Sequence, residues 1–429
     1  MSVAGKPGYQ ETVAGWIPVE WKAKFIGEMT DVSAGGTPST NCEEYWNPPE
    51  VPWMSSGEVH LRRIYSTEKK ISNLGLRNSA AKVFPKKSVV MALAGQGKTR
   101  GCVAVLESEV ATNQSLAAIY PSEHFDTDFL FHNLNWRYQE LRALSSGEGG
   151  RGGLNLSIIK AVPVGLPPLL EQQKIAAILT SVDDKLDVIA RQIEATETLK
   201  KGLMQTLFSR GVGTQDANGR WVPHALFKES QLGKIPVVWE VSTQGNVAKF
   251  LNGRAYKLTE WEEEGTPVIR LQNLTGSGDK YYYSNLKLPP HQYVHNGDLL
   301  YMWSASFGPF IWQGEKAIYH YHIWKIECGE HLDKMYMYYS LFGLTEAMRG
   351  KTNGSTMMHL TKAGMERHSI ALPPMSEQRR IAEILTGVDA KIDLLLSRQS
   401  HYQSLKRGLM QKLLTGEWRV KLDSPTEAA

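Results

Sequence analysis

LPPLLEQQKIAAILTSVDDKLDVIARQIEATETLKKGLMQTLFSR, residues 166–210, recurs without a gap as LPPMSEQRRIAEILTGVDAKIDLLLSRQSHYQSLKRGLMQKLLTG, residues 372–416, with 21 of 45 positions identical at an offset of 206. A repeat of this length means a doubled architecture. Apolar side chains fall at Ile175, Leu179, Val182, Leu186, Ile189 and Ile193, and again at Ile381, Leu385, Val388, Ile392 and Leu395. That is the alternating four-and-three spacing of a heptad seam. The stripe resumes at Leu199, Leu203 and Leu207, and at Leu405, Leu409 and Leu413, after a phase slip that reads as a stutter in a continuous helix.

The helix ends carry their own signals. Pro-Pro sets each start, Ser376 suits an N-cap in the second copy, and Glu171 and Glu377 fall in the first turn, where the helix dipole favours a carboxylate. Gly211 and Gly416 follow the last turns as stops. A helix over 171–207 has 37 residues and a length of about 55 Å. So long an apolar stripe needs a cover, and the natural one is the other copy. The first helix carries the chain away from one domain to the next, so the second must run back, and the pair is antiparallel. The alternative is that each helix packs on its own neighbouring domain.

A shorter echo links GYQETVAGWIPVEW (8–21) to LFKESQLGKIPVVW (226–239). Between the short and long motifs lie two dissimilar regions, 22–165 and 240–371, each of single-domain size. Short apolar runs such as KSVVMAL, GCVAVLE, TPVIRLQNL and DLLYMWSA, broken by Gly, Pro, Asn and Asp, predict strands, with a helix near FDTDFLFHNLNWRYQELRAL and another near KMYMYYSLFGLTEAMR. The expected fold is α+β: two strand-rich domains (1–165 and 226–371) separated by two long helices (166–210 and 372–416) in an antiparallel coiled coil of pseudo-twofold, circular arrangement. A linker spans 211–225 and a tail 417–429.

Composition excludes several classes. The chain is 42% hydrophobic and 21% charged with a net charge of +4, which admits nucleic acid as a partner through local basic patches without demanding it. No signal-like segment and no run of membrane-spanning length occurs, so a cytoplasmic location is expected. Cys42, Cys102 and Cys328 show no metal spacing, and His320 with His322 lacks a third ligand.

One stretch invites an enzyme reading. VVMALAGQGKTRG (89–101) outlines a phosphate-binding loop with Lys98 and Thr99 as the reactive pair. Such a loop must open a helix, yet RGCVAVLESE follows, and its Val103 and Val105 alternate as in a strand. The counterpart LLYMWSASFGPFIWQG (299–314) keeps Gly308 but has neither Lys nor Thr beside it. A P-loop ATPase is therefore one rival reading, and a coiled-coil scaffold touching only proteins is another. The scaffold leaves the two dissimilar domains at matching places unexplained.

Two different heads on a ruler suit a linear target with two separated marks, and duplex DNA is one: about 55 Å is roughly one and a half helical turns. The paired L-P-P-x-x-E-Q-x-x-I-A-x-I-L motifs with the IPVEW and IPVVW openings resemble the specificity subunit of type I restriction-modification systems over nearly the whole chain. The resemblance implies two target-recognition domains, each reading half of a bipartite sequence, with a spacer set by the helices. It also implies double-stranded DNA, two modification subunits and restriction subunits as partners. The chain itself is implied to be non-catalytic and to bind no cofactor, with S-adenosylmethionine for adenine methylation, ATP and Mg on the partner subunits. Asn47-Pro48-Pro49-Glu50 imitates a methyltransferase motif, but Glu50 replaces the stacking ring, and a surface turn is the better reading.

DNA contacts need Arg, Lys, Asn or Gln at base edges and cations or hydroxyls at phosphates. Loop candidates in the first domain are Arg62, Arg63, Gln96, Lys98, Arg100, Arg151 and Asn155. Those in the second are Arg270, Gln272, Asn273, Lys280, Ser304, Ser306, Lys351, Asn353 and Ser355. Tyr281, Tyr282, Tyr283, Trp303, Phe307 and Phe310 are expected to fill a core rather than stack on bases.

Overall fold

A computed structural model describes residues 6–95, 98–144, 153–304, 306–351 and 361–421. The chain divides into two compact units, one of residues 1–190 with 397–429 and the other of 191–396. Each unit thus holds one strand-rich head, the N-terminal half of one long helix and the C-terminal half of the other.

In the first unit a hairpin pairs Tyr9–Thr12 with Gly15–Pro18, and the head is closed by antiparallel pairing of its entry strand Lys22–Phe25 with its exit strand Pro163–Leu166. A five-stranded sheet runs in the order Val32–Ala34, Leu116–Ile119, Val89–Ala92, Val103–Leu106, Arg63–Ile64. A four-stranded sheet runs Lys69–Ile71, Val51–Met54, Val110–Thr112, Val83–Phe84. The runs VVMA, VAVL and LAAI are buried throughout because both sheet faces are covered. Alternation sorts them: Val89, Met91, Val103 and Val105 join Phe129, Leu130 and Leu134 of the helix Thr127–Trp136, whereas Val90, Ala92, Ala104 and Leu106 join Met54, Phe84 and Val110.

The second unit repeats this topology. One sheet runs Ala248–Asn252, Ile323–Cys328, Leu299–Met302, Gly308–Ile311, and the other Tyr282–Ser284, Thr266–Ile269, Ala317–Tyr319, Tyr293–Val294. Leu299 and Tyr301 face Tyr336, Met337 and Leu341 of the helix Lys334–Lys351, while Leu300 and Met302 face Ile269, Val294 and Tyr319. The region 211–225 is more than a linker, since Thr214–Gln215 pairs with Trp221–Val222.

The long helices span Leu169–Arg210 and Met375–Leu414, longer at both ends than the 171–207 expectation. Ser376 lies inside the first turn rather than at the cap, because Pro374 O already accepts Glu377 N–H and Gln378 N–H. Within the first unit Ile175 and Leu179 share a core with Met410, Leu413 and Leu414 and with the head. Within the second, Ile381 and Leu385 share one with Leu207 and the head. Antiparallel pairing and packing on the head therefore hold together at these positions. Val182, Ile189 and Leu395 are buried, and Leu186, Val388 and Ile392 are half-buried. Equivalent ion pairs join the helices in each unit, Asp183 to Lys406 at 2.6 Å and Asp389 to Lys200 at 2.6 Å.

The E-Q of the repeated motif has a specific role. Gln172 accepts Asp126 N–H and donates to Pro167 O, and Gln378 accepts Asp333 N–H and donates to Pro373 O. Each glutamine thus ties a helix start to the turn before the head's own helix. Glu171 receives Arg419 at 2.7 Å, and Arg419 also pairs with Glu20, so the start of the tail is anchored. Glu377 receives Val212 N–H and Gly213 N–H. The carboxylate at the start of one helix therefore holds the chain that leaves the end of the other.

Gly211 and Gly416 make that exit possible. Both sit at φ +70°, and a Cβ on Gly211 would lie 2.1 Å from Glu377 Oε1 and 2.7 Å from Trp239 Cζ2, while one on Gly416 would lie 2.4 Å from Pro18 Cγ. Left-handed backbone strains any L side chain by about 1–2 kcal/mol, and the overlap adds to it. Gly211→Ala is expected to destabilise the second unit by at least about 2 kcal/mol in denaturant unfolding; an unchanged midpoint would refute the packing at this exit.

Candidate DNA interface

Parallel pairing of Val51–Met54 with Val110–Thr112, and of Thr266–Ile269 with Ala317–Tyr319, brings the ends of these strands together with a neighbouring hairpin in each head. In the second head His320 N–H donates to Ile269 O (3.0 Å), Arg254 N–H to Tyr319 O (3.1 Å) and Trp303 N–H to His322 O (3.2 Å). In the first, Asn113 N–H donates to Met54 O (3.0 Å), Gly36 N–H to Thr112 O (2.9 Å) and Leu93 N–H to Ser115 O (2.8 Å). The same backbone scaffold therefore presents residues 113–115 in one head and 320–322 in the other. Beside each turn lie the loop after the first strand of the large sheet, the residue after the parallel strand, and the start of the hairpin loop after Val89–Ala92 in the first head or after Leu299–Met302 in the second.

The side chains on this scaffold differ. The first head shows Asn113, Gln114 and Ser115, with Thr37 Oγ1 donating to Gln114 Oε1 at 2.5 Å. The second shows His320, Tyr321 and His322, with rings in mutual contact. Burial first, then His322 and Arg270, push His320 down to about 4. His322 is lowered too, by burial and Arg270. Neutral imidazoles offer a hydrogen-bond donor and an acceptor without charge. Arg254 is held by Glu260 at 2.6 Å. Arg270 stacks 5.2 Å over Tyr282, whose ring lies 4.7 Å from Trp261.

Some sequence candidates fall on this face and others do not. Arg62 pairs with Asp183 at 2.6 Å, and Arg63 with Glu107 at 2.6 Å and Asp128 at 2.7 Å. Arg62 ties the head to the long helix and Arg63 chiefly ties the head to itself, so both are corrected from DNA contacts to structural ties; the carboxylates that claim them are distant in sequence. Lys98 is exposed and Arg100 half-buried in the hairpin loop, where Tyr138 OH donates to Lys98 O. Asn155 caps the short helix Leu156–Lys160 by accepting Ile158 N–H at 2.9 Å, and Thr361 does the same in the second head through Gly364 N–H. Asn273 accepts Arg270 N–H and donates to Lys280 O, to which Gln272 also donates. It too is structural. Lys280 lies 5.5 Å over Tyr282. Ser304 and Ser306 flank the tip of the second hairpin, and Lys351 ends the helix Lys334–Lys351. Gln96, Arg151, Asn353 and Ser355 lie outside the described residues.

Sequence reasoning missed residues 113–115, and it set aside a metal role for His320 and His322 and read YHYH as part of an aromatic-rich strand. The available signal was a polar triplet interrupting two buried strands, VAT-NQS-LAAI and AIY-HYH-IWKI. Among the aromatics, Tyr281 and Phe310 pack against the core as expected, whereas Tyr282 supports Arg270 and Lys280 at the surface. YWNPPE is a surface turn with a cis Asn47–Pro48 bond. GQGKT joins two antiparallel strands, Val89–Ala92 and Val103–Leu106, with no helix after Thr99 to receive phosphates, which removes the ATPase reading.

Among the described residues no cluster of three or more His, Cys, Asp or Glu could hold a metal, and no helix is long and apolar enough to cross a membrane. Two heads of one topology, each presenting neutral and cationic hydrogen-bonding groups on a four-part face, define a paired recognition module. The chain belongs to the type I restriction modification DNA specificity domain family, whose model matches residues 18–198 and 236–400, and it is a specificity subunit with two such domains. It is 25% identical over 429 residues to the type I restriction enzyme MjaVIII specificity subunit of Methanocaldococcus jannaschii, covering 94% of each chain. The type I restriction enzyme EcoBI specificity subunit of Escherichia coli is 28% identical over 179 residues, which is 41% of this chain and 38% of that one. In structure the chain resembles the type I restriction-modification system S subunit from M. genitalium, with a TM-score of 0.57, 16% identity, and coverage of 94% of this chain and 97% of that one.

Proposed function

We propose that each head reads one half of a bipartite duplex DNA sequence and that the two long helices fix the gap. In this reading the chain is non-catalytic and cytoplasmic. It directs adenine methylation by two modification subunits, and cleavage by restriction subunits, which carry S-adenosylmethionine, ATP and Mg. The observation that carries the reading is the duplicated face: one backbone scaffold is built twice and furnished differently, which is what two half-sites of different sequence require.

A docking surface for two copies of one partner is supported by exposed apolar residues at repeated positions. Val188 and Leu405 are exposed in the first unit, and Leu394 and Leu199, their counterparts at the 206-residue offset, in the second. Isolated exposed leucines are ordinary; their duplication is what suits two identical subunits.

Selection from a randomised duplex pool, with the chain bound to its modification subunits, tests the reading. A site of two short elements separated by an unspecified gap is expected, and one undivided site would refute it. Inserting one heptad at matching places in both long helices should lengthen the gap by about three base pairs, since seven helical residues rise about 10.5 Å and each base pair about 3.4 Å. Both half-sites should stay as they were; altered half-sites would show that the helices do more than space the heads.

A further inference from the structure

We propose that Arg270 reads a guanine in the half-site of the second head, an assignment that rests on the bipartite reading above. Arg270 follows the parallel strand Thr266–Ile269 and is half-buried on the loop face beside the turn 320–322. Its guanidinium meets no carboxylate among the described residues. It is held from below by the Tyr282 ring at 5.2 Å.

The equivalent place in the first head shows how specific this is. Ser55 follows Val51–Met54, and its N–H donates to Glu58 Oε2 at 2.8 Å, as Arg270 N–H donates to Asn273 Oδ1 at 2.9 Å. In the first head the loop therefore carries a carboxylate, and Ser55 Oγ donates to it. In the second head Asn273 does the same backbone task without charge, so the nearest support of Arg270 leaves its guanidinium unneutralised. Arg254, the other arginine on this face, is claimed by Glu260.

An arginine positioned by an aromatic ring and lacking an acidic partner presents two parallel N–H donors, the pattern that matches O6 and N7 of guanine in the major groove. The neighbouring His320 and His322 are shifted toward their neutral forms, so they add no cation that would make this a phosphate cluster. The exposed Lys280, over the same ring, is better suited to a phosphate, which asks only for a point charge.

Selection with the complex of full-length chain and modification subunits gives the test. In the wild type, the half-site that changes when the second head is altered should contain an invariant guanine. Arg270→Gln should relax that position by about tenfold or more and leave the first half-site, an internal control for folding, as it was. Replacing that guanine by 7-deazaguanine should weaken wild-type binding and leave Arg270→Gln binding unaffected. Equal weakening on every sequence, with a salt dependence shallower by about one ion, would make Arg270 a phosphate contact and overturn the assignment. So would a half-site without guanine. A bipartite site in either result leaves the two-head reading standing, whereas an undivided site refutes that reading and this one together.

Discussion

Glu377→Ala should unfold the second unit far more readily than Glu171→Ala unfolds the first, although the two residues occupy the same place in the repeat. Glu377 is 1% exposed and accepts from Val212 N–H (2.8 Å), Gly213 N–H (3.0 Å), His224 Nε2 (3.0 Å) and Trp239 Nε1 (2.8 Å). Removing it strands these donors where water does not replace the carboxylate. Each unsatisfied buried donor costs about 1–3 kcal/mol, and some relaxation is expected, so the loss should be on the order of 4 kcal/mol. Glu171 is as buried, but its partner Arg419 is 41% exposed along its side chain. Freed of Glu171, Arg419 turns to water and keeps Glu20 nearby. A loss of about 1–2 kcal/mol follows. Denaturant unfolding of both variants checks the contrast, and equal losses would show that the four donors do not converge on Glu377 as described.

Acid should loosen the first unit through His132. This side chain is fully buried, with Nε2 3.0 Å from Thr180 Oγ1 and Nδ1 4.0 Å from Asp183. Burial, opposed by Asp183 but aided by Lys406, Arg62 and Arg63, pushes it down to about 3. In the unfolded chain the imidazole takes up a proton near pH 6.5. Below that value the unfolded state binds a proton that the folded state refuses, so stability is full above about 6.5 and falls as pH drops toward about 3. The slope approaches about 1.4 kcal/mol per pH unit. Asp183 itself is held below the ordinary carboxylate range despite its burial, by Arg62 and Lys406, so its contribution is full above about pH 3.9 and is lost as pH falls below that value. His132→Gln should flatten the decline between pH 6.5 and 4.5 relative to the wild type. An unchanged slope would mean that His132 is hydrated or protonated in the fold. The second unit has Tyr339 at the equivalent place, with its hydroxyl donating to Asp389 at 2.8 Å, and His320 and His322 are imidazoles of that unit shifted in the same direction as His132.

The repeat made the architecture legible. The apolar stripes of the 45-residue repeat predicted both long helices, chain connectivity predicted their antiparallel course, and short alternating runs predicted strand-rich heads, because hydrophobic period follows directly from backbone geometry. The recognition face was only partly legible. Arg270, Lys280, Lys98, Ser304 and Ser306, the candidates that lie on or beside this face, were legible as polar residues in loops. Arg62 and Arg63 passed the same filter and are structural, since Asp183, Glu107 and Asp128 reach them only when the chain folds. Asn113 to Ser115 escaped notice, and His320 to His322 read as part of a strand, because a three-residue turn has no period of its own.

By itself, then, the sequence determined a doubled chain of two dissimilar heads and two conserved helices, since periodicity and self-similarity are local properties of the chain. Tertiary structure alone decided which of the polar residues share a face, which arginines are neutralised by carboxylates far along the chain, and why the motif's glutamates and glutamines are there. Those answers depend on pairings across long stretches of sequence. For Glu171 and Arg419 the separation is 248 residues, and no local pattern encodes such a contact.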